Sequence, residues 1–413
     1  MSLLGSVRNL LLALCLMLVL GFLYYSAGKL HMHGWGQEPQ YDRLGFLLKL
    51  DSKMELENPV VDNRRDGCTN ADTHKDRLFI PSQTTLGYIR STDLAYKNGN
   101  NTEGGCRKGF ASAQMTAIFP KVFEVKRKKV KTSWRKDKRF SKPAPMFLDN
   151  TYRRWSKLKD FVPPFGIKGQ ESVIQKILGI TKHYTLTSYL DSLTCKRCII
   201  MGNGGIVANK SLGSRIDEYD VVIRLNEAPV KGFEKDVGAK TTLRITYPEG
   251  AIQKPARYEK DSLFVFAGFK PQDFKWLKYI VYKEKVSPSD GFWKSVATVV
   301  PKEPKEIRIL NPYFIREAAF TFIGLPVNNG MMGRGNIPTL GTVAITMALH
   351  NCDEVAVAGF GYDMNAPNAP LHYYENVKMS AIKESWTHNI GKEKEFLRKL
   401  VKGQVITDLT AGI

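Results

Sequence analysis

The sequence has few acidic residues for its size. Its 413 residues include 61 lysines and arginines but only 40 aspartates and glutamates, which gives a formal net charge of +21. Such an excess favours anionic partners: nucleic acid, a membrane surface, or phosphorylated and acidic small substrates. The most basic segment, residues 121–139, is predicted to be a solvated linker, because blocks of like charge usually are. The alternative to a linker is that this segment binds a polyanion and that the protein is a membrane-anchored polyanion-binding protein.

Cysteines are also few, and they lack the arrangement that a zinc site needs. Six are present, and Cys195 and Cys198 form a C-x-x-C pair. Zinc would require a second close pair, and a redox pair would stand at the start of a helix, whereas Cys198 begins an apolar run typical of a strand. We therefore expect two separate structural disulfides in an oxidising lumen. Sequons for N-glycosylation at Asn100 and Asn209 fit the same compartment.

A complete dinucleotide fingerprint is missing as well. In CIIMGNGGIV, Gly202 and Gly204 match the first two glycines of G-x-G-x-x-G, but Val207 occupies the third position. The acidic residue that would bind the ribose hydroxyls is absent too, because the next predicted strand ends at Asn226. NAD is therefore disfavoured, and a lumenal oxidoreductase becomes a weak hypothesis.

The glycine loop can still bind another nucleotide. Gly204 would let a ligand approach the backbone closely. Asn203 and Asn226 would lie near each other at the carboxyl ends of neighbouring strands, where open α/β sheets bind ligands. An asparagine side chain both donates and accepts, so the pair could recognise a base or a ribose. The alternative is that both asparagines only form turns.

The first residues contain a long hydrophobic run. Residues 10–27 carry no charge, and such a run is long enough for a helix that crosses a bilayer. A cleaved signal peptide would have a shorter apolar core and a small-x-small site, which Tyr25-Ser26-Ala27 matches poorly. We therefore predict four regions: a cytoplasmic tail at 1–8, a signal-anchor helix at 9–28, a lumenal stem with the basic insertion at 29–142, and a folded domain at 143–413.

Strand-like and helical runs alternate within that folded domain. Such alternation predicts an α/β fold with a mostly parallel sheet flanked by helices. The predicted strands cover residues 198–201, 219–225, 241–247, 263–268, 306–311 and 354–361, and the clearest helices cover 339–350 and 392–403.

Four segments of this domain resemble, in the same order, the sialylmotifs of animal sialyltransferases. The run from Cys198 through RLNEAPVKGFEKDVGAKTTLRITYPEG is similar to the large motif, and NIPTLGTVAITMALHNCDEVAVAGFGYD is similar to the small motif. HYYE, which begins at His372, resembles the third motif, and HNIGKE, with His388 and Glu393, resembles the very small motif. VRNLLLALC, FVPPFGIKGQ and ITDL resemble the members that form α-2,3 linkages to the galactose of N-acetyllactosamine.

The resemblance implies a single-pass type II Golgi glycosyltransferase with a Rossmann-like variant of the GT-A fold. It would transfer sialic acid from CMP-N-acetylneuraminate to the 3-hydroxyl of a terminal galactose, with inversion; another acceptor specificity is the alternative. Neither a metal nor another cofactor is expected, since the sequence contains no Asp-x-Asp and a monophosphate leaving group needs little charge neutralisation. The expected partners are the nucleotide-sugar donor, galactose-terminated glycans and the membrane, without nucleic acid; a homodimer is compatible with the sequence.

The resemblance also implies roles for individual residues. His388 would be the base that takes the proton of the acceptor hydroxyl, with Glu393 in support. His372 would donate to the departing phosphate, with Glu375 in support. CMP would be bound by Asn203, Gly204, Asn226, Thr339, Gly341 and Gly361, with backbone amides at Thr339 and Gly341 facing nucleotide oxygens. The disulfides would join Cys198 to Cys352 and Cys106 to Cys195, which leaves Cys68 unassigned.

Overall fold

The structure, a computed structural model, describes residues 105–119, 144–151, 158–287, 291–327, 335–363, 365–384 and 387–413. The predicted tail, the signal-anchor helix, the basic insertion at 121–139, Cys68 and the sequon at Asn100 lie outside these residues. Among the residues described, no helix combines the length and the apolar character needed to cross a membrane.

A seven-stranded sheet forms the centre of the described chain, and each strand runs parallel to its neighbours. The predicted parallel sheet is therefore confirmed. The strands are β1 (Arg197–Met201), β2 (Val221–Leu225), β3 (Leu243–Thr246), β4 (Leu263–Phe266), β5 (Ile307–Ile309), β6 (Glu354–Ala358) and β7 (Ile406–Asp408). The order across the sheet is β5-β4-β3-β2-β1-β6-β7, so the strand order reverses at a topological switch point between β1 and β6.

Helices cover both faces of the sheet. Side chains of β1 alternate between two hydrophobic clusters, with Cys198 and Ile200 on one face and Ile199 and Met201 on the other. The α-helices of the described residues are α1 (Phe110–Ile118), α2 (Glu171–Thr181), α3 (Ser188–Ser192), α4 (Gly213–Asp217), α5 (Glu234–Val237), α6 (Pro271–Tyr282), α7 (Tyr313–Glu317), α8 (Leu340–Asn351) and α9 (Ile390–Lys402), and a π-helical turn at Ala318–Ile323 continues α7.

Helix α8 occupies the central position on one face. Every residue from Leu340 to His350 is buried, and the helix packs across β1, β2, β3 and β6. The helix is buried on all sides, and its polar side chains Thr342, Thr346 and His350 are buried with the rest. Its first residue therefore lies at a fixed position beside the ends of the central strands.

Residues 105–119, which the sequence assigned to the stem, are part of the core. Ala111 and Met115 of α1 are fully buried, and the amide of Ala111 donates to the carbonyl of Asp353 at 2.8 Å. The boundary predicted at residue 143 is therefore wrong in placing α1 outside the folded domain. Both predicted disulfides are confirmed: Cys106–Cys195 joins the α1 segment to the residues before β1, and Cys198–Cys352 joins β1 to the end of α8.

Candidate active site

A cavity of about 460 Å³ opens at the carboxyl edge of the sheet. Its walls come from the residues that follow β1, β2, β3, β4 and β6 and from the first residues of α8 and α9. This is the usual ligand crevice of an open α/β sheet. Most of the predicted site residues line it: Asn203, Asn226, Thr339, Gly341, Gly361, His372, His388 and Glu393. Gly204 and Glu375 are not among the residues that line it.

Asn203 and Asn226 occupy equivalent positions on two paired strands. Asn226 follows β2 directly, and Asn203 follows β1 after one residue. Because β1 and β2 are parallel neighbours, both asparagines stand at the same edge of the sheet. Asn226 has a left-handed backbone with φ 53°, and the guanidinium of the buried Arg244 donates to its carbonyl at 2.7 Å. The backbone carbonyl of Asn203 accepts from the Tyr373 amide at 3.1 Å. Both asparagines are therefore held by neighbours at the cavity wall.

The glycines of this edge are required by contacts between backbones. A Cβ on Gly204 would lie 2.7 Å from the carbonyl oxygen of Gly359, to which the Gly204 amide donates at 2.9 Å. Gly361 has φ 102°, and its Cβ would lie 1.8 Å from the carbonyl oxygen of Gly412. The glycine loop is thus tight because the ends of β1 and β6 approach each other. The structure gives Gly204 a packing role at this edge.

Glu393 holds the start of α8. The Thr339 amide donates to Glu393 Oε1 at 2.9 Å, and the Thr339 hydroxyl donates to Oε2 at 2.5 Å. The Thr339 amide is therefore engaged by a carboxylate, contrary to the expectation that it faces a nucleotide oxygen. The amides of Leu340 and Gly341, which begin the helix beside the cavity, remain the ones placed for an anion.

Gly341 also makes room for an aromatic ring. A Cβ there would lie 2.7 Å from Cε1 of Phe360, which itself lines the cavity. The expectation that Gly341 binds a ligand is compatible with this packing role, because the amide can bind the ligand while the absence of a side chain leaves room for Phe360. A side chain at this position would move Phe360 and reshape the wall.

His388 has a defined tautomer in its neutral form. Its Nδ1 lies 2.9 Å from the carbonyl oxygen of Ile337, and a carbonyl oxygen can only accept. Nδ1 therefore carries the proton, and Nε2 is left with a free lone pair that can accept another. The residue lies immediately before α9, whose first turn is capped by the side chain of Asn389, which accepts from the Lys392 amide at 3.0 Å.

Glu393 is a buried carboxyl close to His388. Burial raises its pKa above the ordinary value for glutamate, although hydrogen bonds from Thr339 and Thr342 and the nearby His388 act in the opposite direction. The Thr342 hydroxyl donates to Oε2 at 2.5 Å. Glu393 thus connects the base candidate to the first turn of α8, and any charge on His388 is felt by a group with little access to water.

His372 is held in a different way. Its Nδ1 makes a short hydrogen bond with the carboxylate of Glu375, and its ring stacks on Tyr374 with centroids 5.4 Å apart. The backbone of His372 forms a bridge with Gly204, and the amide of Tyr373 donates to the Asn203 carbonyl at 3.1 Å. His372 is therefore fixed to the loop after β1, on the same side of the cavity as Asn203.

Sequence reasoning missed another group of cavity residues. Tyr247, Phe269, Lys270 and Trp293 line the part that extends past β2. Nζ of Lys270 lies 2.7 Å from Oε1 of Glu249, which is fully buried. No motif marks these positions, and Lys270 is one of 61 basic residues. The one available signal was the position of Tyr247 at the end of a predicted strand.

The same lysine also binds a second buried carboxylate. Its Nζ lies 2.7 Å from Oδ1 of Asp273, which is as inaccessible as Glu249. Burial raises the pKa of Asp273, and the nearby Lys270 opposes that rise. Within the described ranges, no three histidine, cysteine, aspartate or glutamate side chains stand together in a way that could hold a metal ion.

The chain and its structure resemble known sialyltransferases. The family model for glycosyltransferase family 29 (sialyltransferase) matches residues 120–405. The chain is 65% identical to the CMP-N-acetylneuraminate-beta-1,4-galactoside alpha-2,3-sialyltransferase of Mus musculus and 64% identical to that of Homo sapiens, with all of each chain covered. It is 39% identical to the lactosylceramide alpha-2,3-sialyltransferase of Homo sapiens, over 75% of this chain and 71% of that one.

A solved structure of a mammalian sialyltransferase has the same fold. The similarity has a TM-score of 0.52 at 22% sequence identity and covers 76% of this chain and 99% of the other. The family model and the full-length relatives confirm what the four sequence motifs indicated. The chain belongs to glycosyltransferase family 29, the sialyltransferases.

Proposed function

We propose that the protein transfers sialic acid from CMP-N-acetylneuraminate to the 3-hydroxyl of a terminal galactose, with N-acetyllactosamine as the preferred acceptor. The full-length relatives at 65% and 64% identity are named for β-1,4-linked galactose and an α-2,3 product. The relative named for lactosylceramide is only 39% identical. The observation that carries the chemistry is that His388, His372, Asn203 and Asn226 line one cavity.

The donor half of the site lies over β1, β2 and β6. There the asparagine side chains can bind the cytidine, since an amide offers both a donor and an acceptor. The amides of Leu340 and Gly341 at the start of α8 suit an anionic oxygen of CMP, because a helix N-terminus carries partial positive charge. Asn203 and His372 are joined through the backbone bond of Tyr373, which orients the nucleotide and the phosphate-binding residue together.

His388 acts as the general base. Because Nδ1 donates to the Ile337 carbonyl, the lone pair on Nε2 can take the proton of the galactose 3-hydroxyl as that oxygen attacks. The ring becomes positive in that step, and the neighbouring Glu393 stabilises the charge. Attack on the face opposite the departing phosphate converts the β linkage of the donor to α.

His372 acts on the leaving group. With Nδ1 hydrogen-bonded to Glu375, the opposite ring nitrogen can donate to a phosphate oxygen as the bond to CMP breaks. The hydrogen bond to Glu375 fixes the orientation of the ring, and a donor held in a fixed position stabilises the developing phosphate charge. A histidine in this role supports transfer without a metal, as does the lack of Asp-x-Asp in the sequence.

The same proposal includes the position of the protein in the cell. A Golgi enzyme with a Rossmann-like variant of the GT-A fold, anchored by the helix predicted at 9–28 with its catalytic domain in the lumen, agrees with the two disulfides and the exposed sequon at Asn209. Residues 29–104 and the basic insertion form the stem, and a homodimer is compatible with this arrangement.

The test is a transfer assay with the full chain, CMP-sialic acid and a panel of galactosides, with the product linkage read by NMR. We expect an α-2,3 product, N-acetyllactosamine as the best acceptor, and full activity in excess EDTA. An α-2,6 product, or no transfer to any galactoside, would contradict the proposed function. Loss of activity in EDTA that manganese restores would contradict the metal-independent chemistry alone.

A further inference from the structure

The second half of the cavity extends over β3 and β4, away from His372 and the glycine loop. Tyr247 follows β3, Phe269 follows β4, and Trp293 belongs to the segment before β5. Since the transfer reaction joins two substrates, a half without the nucleotide-binding residues is the place for the acceptor.

This second half has the chemistry of a sugar site. The rings of Tyr247 and Phe269 meet edge to face with centroids 5.6 Å apart, which gives a fixed apolar wall. Lys270 beside them is held between the buried carboxylates of Glu249 and Asp273. Sugars present both C–H faces, which stack on aromatic rings, and hydroxyls, which bond to fixed polar groups.

Trp293 stands at the rim of this half. It lines the cavity although its side chain is 69% exposed. The residues on either side are anchored: the Phe292 ring lies 5.3 Å from Nζ of Lys270, and Nζ of Lys294 lies 3.4 Å from Oε1 of Glu227. Trp293 thus extends the aromatic lining that Tyr247 and Phe269 begin as far as the mouth of the cavity.

We infer that Trp293 stacks on the second sugar of the acceptor, the one to which the reacting galactose is attached. The inference rests on the proposed function, which requires galactose to enter far enough for its 3-hydroxyl to meet His388. The next sugar must then lie further out, where Trp293 is exposed. Trp293 is therefore a specificity-determining residue that distinguishes a disaccharide acceptor from galactose alone.

The test compares Trp293→Ala and Trp293→Phe with the unmodified full chain. A stacked ring contributes enough that removing it should raise the KM for N-acetyllactosamine about two- to tenfold. The KM for CMP-sialic acid should stay unchanged, because the donor occupies the other half. With methyl β-galactoside, which has no second sugar, the alanine variant and the unmodified enzyme should have the same kcat/KM. The phenylalanine variant should recover most of the loss.

Tyr189→Ala is the matched control. Tyr189 lies on α3, is 70% exposed and does not line the cavity, so its removal should leave both KM values unchanged. An unchanged acceptor KM in Trp293→Ala would overturn the inference, as would an equal loss with methyl β-galactoside or a raised donor KM. If the unmodified chain transferred sialic acid to no galactoside, the proposed function would fail first and the inference with it.

Discussion

The two histidines of the cavity are alike in one respect and different in another. Both have Nδ1 engaged in a hydrogen bond, which leaves the opposite nitrogen for chemistry. The partner of His388 is a neutral backbone carbonyl, whereas the partner of His372 is the carboxylate of Glu375. A carbonyl fixes the tautomer as a neutral acceptor, while a carboxylate fixes it through a charge-assisted hydrogen bond. In the proposed function the first histidine accepts a proton and the second donates to the phosphate.

The largest expected effect comes from removing the proposed base. His388→Ala should lower kcat by about 10²–10⁴, the usual contribution of general base catalysis. CMP binding should change little, since in the proposed function His388 acts on the acceptor. Transfer kinetics and calorimetry with CMP measure the two properties.

His183→Ala is the control for that variant. Nδ1 of His183 also bonds to a backbone carbonyl, that of Thr181 at 3.1 Å, but the residue does not line the cavity. This variant should keep full activity. A folded His388→Ala protein that retains most of its turnover, or that loses only CMP affinity, would remove His388 from the role of base.

A smaller effect with a different signature is expected at His372. Its replacement by alanine removes a hydrogen bond to a charged group, worth about 1.5–3 kcal/mol, so turnover should fall about 10- to 100-fold. CMP binding should weaken as well, because the phosphate loses a contact that exists before the reaction. If His372→Ala slowed transfer but left the Kd for CMP unchanged, the two histidines could not be distinguished in this way.

Changing the partner of His372 should have a still smaller effect. Glu375→Gln keeps an oxygen that can accept from Nδ1 but removes the negative charge. The pair is partly exposed, so the charge contributes little, and we expect turnover to fall about two- to fivefold. A turnover equal to that of the unmodified enzyme would show that the charge of Glu375 has no role.

Replacing Glu393 should chiefly change how the stability of the protein depends on pH. Burial raises the pKa of Glu393, so the folded state binds the carboxyl proton more tightly than the unfolded chain does. The stability that this preference provides is complete below the ordinary glutamate pKa and is lost as pH rises through the raised value. Glu393→Gln, which is neutral at every pH, should therefore gain in melting temperature relative to the unmodified protein as pH increases. A difference in Tm that stays constant with pH would contradict the buried, proton-binding role.

The sequence predicts the central strands because their physical signal is strong. β1 to β4 and β6 are short apolar runs bounded by turns, as expected for strands buried on both faces. β7 has three residues, with Thr407 exposed, and so short an edge strand shows no distinct pattern. Helix α1 was missed because its contribution depends on Ala111 and Met115 meeting residues far along the chain.

The cavity residues also fall into two groups, those that the sequence predicts and those that it does not. Asn203, Asn226, His372 and His388 stand in recognisable motifs, so their positions could be predicted from the sequence. Tyr247, Lys270 and Trp293 come from three separate loops with no fixed spacing, and only the folded sheet brings them to one wall. The use of the Thr339 amide by Glu393 was equally invisible, because it depends on where α9 packs against α8.

The most direct test of His388 as the base is the protonation state of its ring, measured by ¹⁵N NMR on histidine-labelled protein near neutral pH. The sequence contains only seven histidines, and the spectrum of His388→Ala identifies the signals by their loss. The hydrogen bond to the Ile337 carbonyl predicts that the neutral ring carries its proton on Nδ1 and leaves Nε2 unprotonated. A ring with its proton on Nε2 would have no lone pair there for the galactose hydroxyl, and it would contradict the role of His388.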